Sequence, residues 1–407
     1  MPFFPFSLCV DEEISAFGNC PLRRLCGIMS ADCAEERRVK YIYQLKDWPN
    51  WRWDAGEVAD ALAEVSMELG KFLGRLSSIG FAVQKEAVHE MLSTEILESA
   101  AIEGEQLNRD DVRSSVARRM ELVLSSASRP ASHEAEARAD MMLDATRNWD
   151  KPMNLPRLFS WHAALFLTGY SGLVKIAVAR LRDDSEGPMR VVSRRGEMER
   201  VHFAAPPAGK LADEMARFFE WVNDEAAGTP WLVRTALAHL WFLTLHPFDD
   251  GNGRLARSLT EYMLAKGEKS QMRFYSLSAE IQKEKGDYYG ELERAQRGTM
   301  DATRWVKWFL GCHLRAVKSA EGHLAGIFAK ADFWRIHAED PLGENQRKIL
   351  NMLFDGFKGN LTSSKWAKIC KVSQDTASRE INTLVAKGIL KQRGQGRATH
   401  YVLNKDI

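Results

Sequence analysis

The sequence predicts a mainly α protein of two or three domains, with one short β-hairpin set into a helical body and a basic C-terminal module of three helices and a hairpin. Three observations carry this. Apolar residues recur at helical spacing, or run unbroken at helical length, through most of residues 54–320. The stretch 186–205 (EGPMRVVSRRGEMERVHFAA) breaks that pattern with short β-branched runs on either side of Arg194-Arg195-Gly196, as a hairpin does. From Asn345 onward the helical segments are short, and 390–403 (LKQRGQGRATHYVL) reads as two strands with glycines between them.

At 407 residues the chain can bury sizeable cores, and its composition is that of an ordinary globular protein. A net charge of +1 predicts no general affinity for nucleic acid or membranes. The charge is uneven: residues 342–407 hold twelve Lys/Arg and five Asp/Glu, or +7, which leaves −6 for the remainder. Four of the six cysteines (Cys9, Cys20, Cys26, Cys33) lack the Cys-x-x-Cys spacing of a zinc site. No basic region precedes the apolar start, and no apolar run reaches the roughly 18–20 residues of a membrane span. The expectation is a cytoplasmic protein with no membrane contact. Residues 1–36, without periodicity, are expected to be a disordered leader, with Met29 as an alternative start.

Residues 37–53 are dense in aromatics and read as an extended arm anchored by Trp48, Trp51 and Trp53. A helix is expected over 54–80 with Asp54 as N-cap, and a second over 82–103, stopped by Gly104 as the C′ glycine. Residues 107–150 should hold two or three amphipathic helices joined by the small polar stretch 125–137. Pro156 opens a core helix over 156–168, in which His162 is expected to be packed. Helices follow over 209–223, 231–245, 255–265, 278–297 and 302–320. Residues 326–341 then read as a linker.

The chain is organised around residues 245–257, Leu-His-Pro-Phe-Asp-Asp-Gly-Asn-Gly-Arg-Leu-Ala-Arg. Pro247 ends the apolar helix 231–245, so His246 sits where a buried helix becomes a loop. Gly251 and Gly253 let the backbone turn tightly and approach a ligand. A glycine turn opening into a helix presents free N–H groups and the positive end of the helix dipole, which is an anion site. Arg254 and Arg257 share a face there, and an anion between them would satisfy both. A carboxylate beside phosphate is repulsive unless it holds a cation such as Mg²⁺. His246 titrates in the range suited to proton transfer. Taken singly, these features have ordinary readings: a packed histidine, a loose glycine turn, a solvated arginine face. Together they fit one task, the handling of a polyphosphate.

That stretch resembles the Fic family motif, H-x-F-x-[D/E]-G-N-G-R-x-x-R, at every defined position. The resemblance implies a helical fold that transfers AMP from ATP to a protein hydroxyl. It makes His246 the base, Asp250 the Mg²⁺ ligand, Gly251, Asn252 and Gly253 the phosphate turn, and Arg254 and Arg257 the partners of the remaining phosphate charge. Phe248 would pack inward and fix the loop. Doc-type kinases carry a lysine at the position of Gly253, so kinase chemistry is not implied. Ser99-Ala-Ala-Ile-Glu103-Gly104 resembles the family's inhibitory motif, [S/T]-x-x-x-E-[G/N], in which the glutamate pairs with the second motif arginine, here Arg257. Read from the residues alone, Ser99 and Glu103 share a helix face, and Glu103 sits in the last turn, where the dipole disfavours its charge and an outside cation is welcome. By position in the family order, the hairpin 186–205 is the flap that holds a target protein by strand addition. Val201, His202, Phe203 and Ala204 would border the nucleotide, and Tyr288 and Gln296 would contact the nucleoside; half-burial is the plainer reading of Tyr288.

The basic C-terminal part resembles a winged helix-turn-helix, in which the third helix enters the DNA major groove. That resemblance puts Gln374, Thr376, Ser378 and Arg379 on the groove-facing helix and Lys391, Arg393 and Arg397 on the wing, while Asp375 and Glu380 oppose it by charge. The domains expected are therefore 1–36 leader, 37–120 N-terminal helical region, 121–325 core, 326–341 linker and 342–407 winged helix. The resulting expectation is a protein adenylyltransferase acting on a Ser, Thr or Tyr hydroxyl of a target or of itself, held off by Glu103, using ATP and Mg²⁺ and forming a homodimer. Two alternatives remain: a DNA-binding regulator whose core senses nucleotide, and a hydrolase that removes AMP from modified proteins.

Overall fold

The computed structural model describes residues 40–77, 79–122, 131–185, 187–195, 198–224, 228–354, 357 and 359–404. The expected leader 1–36 and the hairpin tip at Gly196 lie outside the described residues. The fold is mainly α, with three small two-stranded antiparallel sheets among the described residues. It divides into two compact units, one of residues 40–73 and 84–320, the other of residues 74–83 and 321–404. Residues 40–73 and 84–120 share the first unit with residues 121–320.

The first unit opens with Ile42–Gln44 as a 3-10 turn, so the arm read as extended begins with a turn. Trp48 is buried against Trp51 and Trp241, and its indole N–H donates to Glu214 at 3.0 Å. Helices α1 (Ala55–Ser77) and α2 (Phe81–Ile102) follow, and Asp54 caps α1 by accepting the Glu57 N–H at 3.0 Å. Next come α3 (Arg109–Arg119), α4 (His133–Arg147) and α5 (Leu155–Leu165). Ser132 caps α4, so the helix begins inside the stretch 125–137 that reads as a connection. A short hairpin, β1 (Tyr170–Ser171) and β2 (Val174–Lys175), went unread in the sequence because two residues per strand carry no period.

The expected hairpin is β3 (Arg190–Arg195) paired with β4 (Met198–Ala204), with a register shift between Val191 and Val192. After α6 (Leu211–Asn223), helix α7 (Trp231–Leu245) is buried from Leu232 to Leu245. It packs beside α8 (Asn252–Glu268), which also packs on α4. The helix expected over 278–297 is two, α9 (Leu277–Lys283) and α10 (Lys285–Gln296), broken at Glu284. Helix α11 runs Thr303–Ile336, so most of the expected linker 326–341 is helical.

In the second unit, α12 (Glu344–Phe354), α13 (Ser363–Cys370) and α14 (Gln374–Ala386) precede an antiparallel pair, β5 (Leu390–Arg393) and β6 (His400–Leu403). Ile349, Leu350, Trp366, Ile381 and Leu384 form its core. Glu380 turns toward the neighbouring helices, accepting from the Trp366 indole at 2.7 Å and the Asn345 amide at 2.9 Å.

Candidate active site

Residues 246–252 form a loop tied down at each step. Helix α7 stops at Leu245, and His246 adopts φ 48°, ψ 59°, a left-handed conformation uncommon for a residue with a side chain. Arg182 holds it there: Nε donates to the His246 carbonyl at 2.7 Å and Nη2 to the Pro206 carbonyl at 2.6 Å. Phe248 is fully buried and stacks on His162, ring centroids 4.1 Å apart. His162 is packed, as its surroundings in sequence suggested, yet it also braces the loop. The Ala179 N–H donates to its Nδ1 at 3.1 Å, so Nε2 carries the proton and donates to the Asp250 carbonyl at 3.2 Å. Burial pushes its pKa down to about 4, which keeps it neutral. Asn252 closes the loop from below. Its side-chain oxygen accepts the Phe248 N–H at 3.0 Å and its amide nitrogen donates to the Phe248 carbonyl at 2.8 Å. The side chain of Asn252 is therefore engaged in shaping the turn, and only its backbone is left for a ligand.

The two glycines have different reasons. Gly251 takes φ 82°, and a Cβ there would lie 2.8 Å from the Phe166 ring. Gly253 has ordinary helical backbone, but its Cβ would lie 2.1 Å from Glu103 Oε1. The carboxylate of Glu103 thus rests directly on the first turn of α8. It arrives there because α2 ends at Ile102 and Gly104 takes φ 79°, with the Glu105 N–H donating back to the Ala100 carbonyl at 3.0 Å. Glu103 accepts from Arg257 Nη2 at 2.8 Å. Arg257 also donates from Nε to Ser99 Oγ at 2.8 Å and from Nη2 to the Ser99 carbonyl at 2.7 Å. Burial opposes the charge of Arg257, but Glu103 and the tyrosines behind it outweigh that and raise its pKa. Arg254, likewise buried, is paired with Glu105, a residue the sequence reading passed over because it lies outside the matched motif.

A cavity of about 1020 Å³ opens over this turn. Its wall includes Glu103, Gly104, Glu105, His246, Asp249, Asp250, Asn252, Gly253 and Arg254, and on the far side β1–β2 and residues 187–192 of the flap. The half-buried His246 has its Nδ1 3.4 Å from the Leu243 carbonyl. A carbonyl can only accept, so Nδ1 carries the proton and Nε2 keeps its lone pair. Burial, then the Arg182 charge, lowers the pKa of His246 to about 4, so it is neutral at pH 7 and able to take a proton. Asp250 accepts the Gly251 N–H at 2.5 Å and the Ser171 hydroxyl, and stands 3.4 Å from Arg254 Nη2. Among the described residues no three His, Cys, Asp or Glu side chains gather as a metal centre. One carboxylate beside a helix N-terminus does fit Mg²⁺, which would take its other ligands from a bound anion and water. Asp249 instead receives the Ala177 N–H at 2.9 Å.

Not every expected residue meets the cavity. Val201, His202, Phe203 and Ala204 lie off it; the flap lines it through β3 and the residues just before β3. Phe203 packs edge-on against Tyr41 and Tyr43, His202 bonds Glu293 and Ser193, and Arg297 donates to the Val201 and His202 carbonyls. Alternation along β4, interrupted where the register skips His202, decides those directions, and chain order could not reveal them. Tyr288 and Gln296 are buried and also absent from the wall. The Tyr288 hydroxyl meets His239 Nε2 at 2.8 Å, and burial raises its pKa.

A helical body brings a neutral imidazole, the buried Arg254 and the helix N-terminus at Asn252 and Gly253 to one cavity, while Arg257, equally buried, is not part of its wall. Residues 152–264 match the family model described as Fic/DOC family, so the chain carries a Fic domain there. Residues 41–122 match a domain of unknown function, DUF4172. Protein adenylyltransferase Fic of Drosophila melanogaster is 33% identical over 108 residues, 26% of this chain and 20% of that protein. The protein of the same name from Culex quinquefasciatus is 34% identical over 114 residues, 28% of this chain and 21% of that one. The chain thus spans about a fifth of the length of the curated relatives it matches. The crystal structure of a Fic family protein from Desulfovibrio desulfuricans G20 superposes with a TM-score of 0.52 at 20% identity, over 86% of this chain and 97% of that one, a likeness of fold. Among the described residues no helix is long and apolar enough to cross a membrane.

Proposed function

We propose that this protein transfers AMP from ATP to a Ser, Thr or Tyr hydroxyl of a target protein or of itself, and that Glu103 holds it off. One observation carries the reading: the Glu103 carboxylate rests on Gly253 and pairs with Arg257, filling the place where the turn would receive phosphate, next to a neutral His246. Withdrawal of Glu103 would return Arg257 and the α8 amides to an incoming triphosphate. Asp250 would hold Mg²⁺, which neutralises phosphate charge when bound. His246 Nε2 takes the hydroxyl proton while that oxygen attacks the α-phosphorus; the bond to the bridging oxygen breaks and diphosphate leaves. Positioning and charge stabilisation supply most of the rate. The two-stranded flap, with β3 against the cavity, suits a target segment added as a further strand. The relatives named protein adenylyltransferase support the same chemistry. Incubation with ATP labelled on the adenine tests it. The Glu103→Gly protein should label itself or added targets strongly, and adding His246→Ala should abolish the label without unfolding the chain. Labelling that survives loss of His246 would remove the base assignment, and wild-type labelling equal to that of Glu103→Gly would remove the inhibition.

The second unit supports a second reading, binding of duplex DNA. The inward turn of Glu380 takes one of the two acidic groups off the open face of α14. Arg379 and Arg393 are exposed there, and Gln374 is exposed with its amide on the Ser363 and Ser364 hydroxyls at 3.3 and 3.1 Å. Thr376 and Ser378 are half-buried, and the side chain of Arg397 lies outside the description. Phosphate contacts from such residues would give affinity and base contacts sequence choice.

A further inference from the structure

Glu105 stands two residues beyond Glu103 on the same cavity wall. Its Oε1 pairs with Arg254 Nη1, and its Oε2 lies 2.8 Å from Arg138 Nη2. Both arginines are buried, with side chains 3% and 4% exposed, whereas Glu105 is 22% exposed from the cavity side. Arg138 belongs to α4 and has a second carboxylate, Glu134, at 2.8 Å. Arg254 has its second carboxylate, Asp250, farther off at 3.4 Å, and the Nε of each arginine has no hydrogen-bond partner among the described residues. Each arginine of the turn is therefore neutralised by its own glutamate, Arg257 by Glu103 and Arg254 by Glu105. A carboxylate cannot itself receive phosphate, and one left against a phosphate is repelled.

We propose that Glu105 is a second acidic latch on the cradle, holding Arg254 in the resting state and passing to Arg138 when phosphate draws Arg254 away. This rests on the reading of the cavity as an ATP site. Releasing Glu103 then frees only half of the guanidinium charge, and full affinity requires Glu105 to let go as well. Arg138, fixed in α4 and already in contact, keeps the released carboxylate paired, so the exchange leaves no buried charge alone.

The test is calorimetric titration of the full chain carrying Glu103→Gly, with and without Glu105→Gln, using adenosine, ADP and ATP in magnesium buffer. Glutamine keeps the size and hydrogen-bonding reach of Glu105 while removing its charge. Binding of ATP and ADP should tighten roughly tenfold, on the scale of one charge-assisted hydrogen bond, and adenosine should be unaffected. Arg138→Met in the Glu103→Gly background should weaken ATP binding instead, because Glu105 then has no cation to receive it. Unchanged or weaker ATP binding on Glu105→Gln would overturn the proposal, and so would a gain that extends to adenosine, which marks a loosened pocket. Absence of ATP binding to the Glu103→Gly protein would defeat the adenylyl-transfer reading itself. ATP binding that Glu105→Gln leaves unmoved would defeat only the latch.

Discussion

Replacing Gly253 by alanine puts the close approach of Glu103 to a direct energetic test. The new Cβ would lie 2.1 Å from Glu103 Oε1, 3.0 Å from its Cδ and 3.3 Å from Arg257 Nη1. Something must yield, and the glutamate is the free end of a flexible side chain, whereas Arg257 is packed at 2% exposure. The carboxylate therefore retreats, and the 2.8 Å bond to Arg257 is lost. Removing the charged partner of a buried arginine costs about 2–3 kcal/mol. Alanine recovers up to about 1 kcal/mol over glycine in a helix. The net loss for Gly253→Ala is then about 1–2 kcal/mol, and Glu103→Ala alone should cost about 2–3 kcal/mol through the same pair. The double variant loses that pair once, so its cost should be about 1–2 kcal/mol where simple addition gives about 3–5 kcal/mol. Denaturant unfolding of the four proteins, followed by tryptophan fluorescence, measures this coupling. Costs that add within error would mean that Glu103 does not lie over Gly253 and that the cradle is not occupied.

Acid should destabilise the fold well above the usual carboxylate range. Burial lowers the pKa of His162 to about 4 and those of His239 and His313 to about 3, against roughly 6.5 when unfolded. The unfolded chain binds protons at these sites that the folded chain refuses. Their stabilisation is complete above about pH 6.5 and is lost as pH falls toward the folded values, with His162 alone worth about 3 kcal/mol. Denaturation midpoints that stay level from about pH 7 down to pH 5 would contradict this. For the second unit, gel retardation of duplex DNA by residues 321–407 within the full chain is the measurement. Binding should weaken steeply with salt, and Arg379→Ala with Arg393→Ala should reduce both the affinity and the salt slope. Full-chain retardation unaltered by those substitutions would place any DNA contact elsewhere.

Much of the fold was legible along the chain. Helix 231–245 was read to the residue because Pro247 ends an almost wholly apolar run, and the C-terminal helices and strands followed from short periods punctuated by glycine. The turn at 251–253 and the pairing of Ser99 and Glu103 on one helix face were equally local. Where periodicity has nothing to count, the reading ran out. The two-residue strands β1 and β2 were missed, and α11 ran on through a stretch read as linker, because a helix stops only where a breaker or lost packing stops it.

What the chain determined by itself is the chemistry available: an imidazole after a broken helix, glycines at a helix start, arginines one turn apart, and a glutamate at a glycine-capped helix end. Tertiary structure alone decided which groups meet. Arg182 on the His246 carbonyl spans 64 residues of sequence, His162 under the Asp250 carbonyl spans 88, and Glu105 on Arg254 spans 149. Local periodicity records which face of an element is buried, but not which distant side chain covers it. Those partners are chosen by packing and by the need to neutralise buried charge.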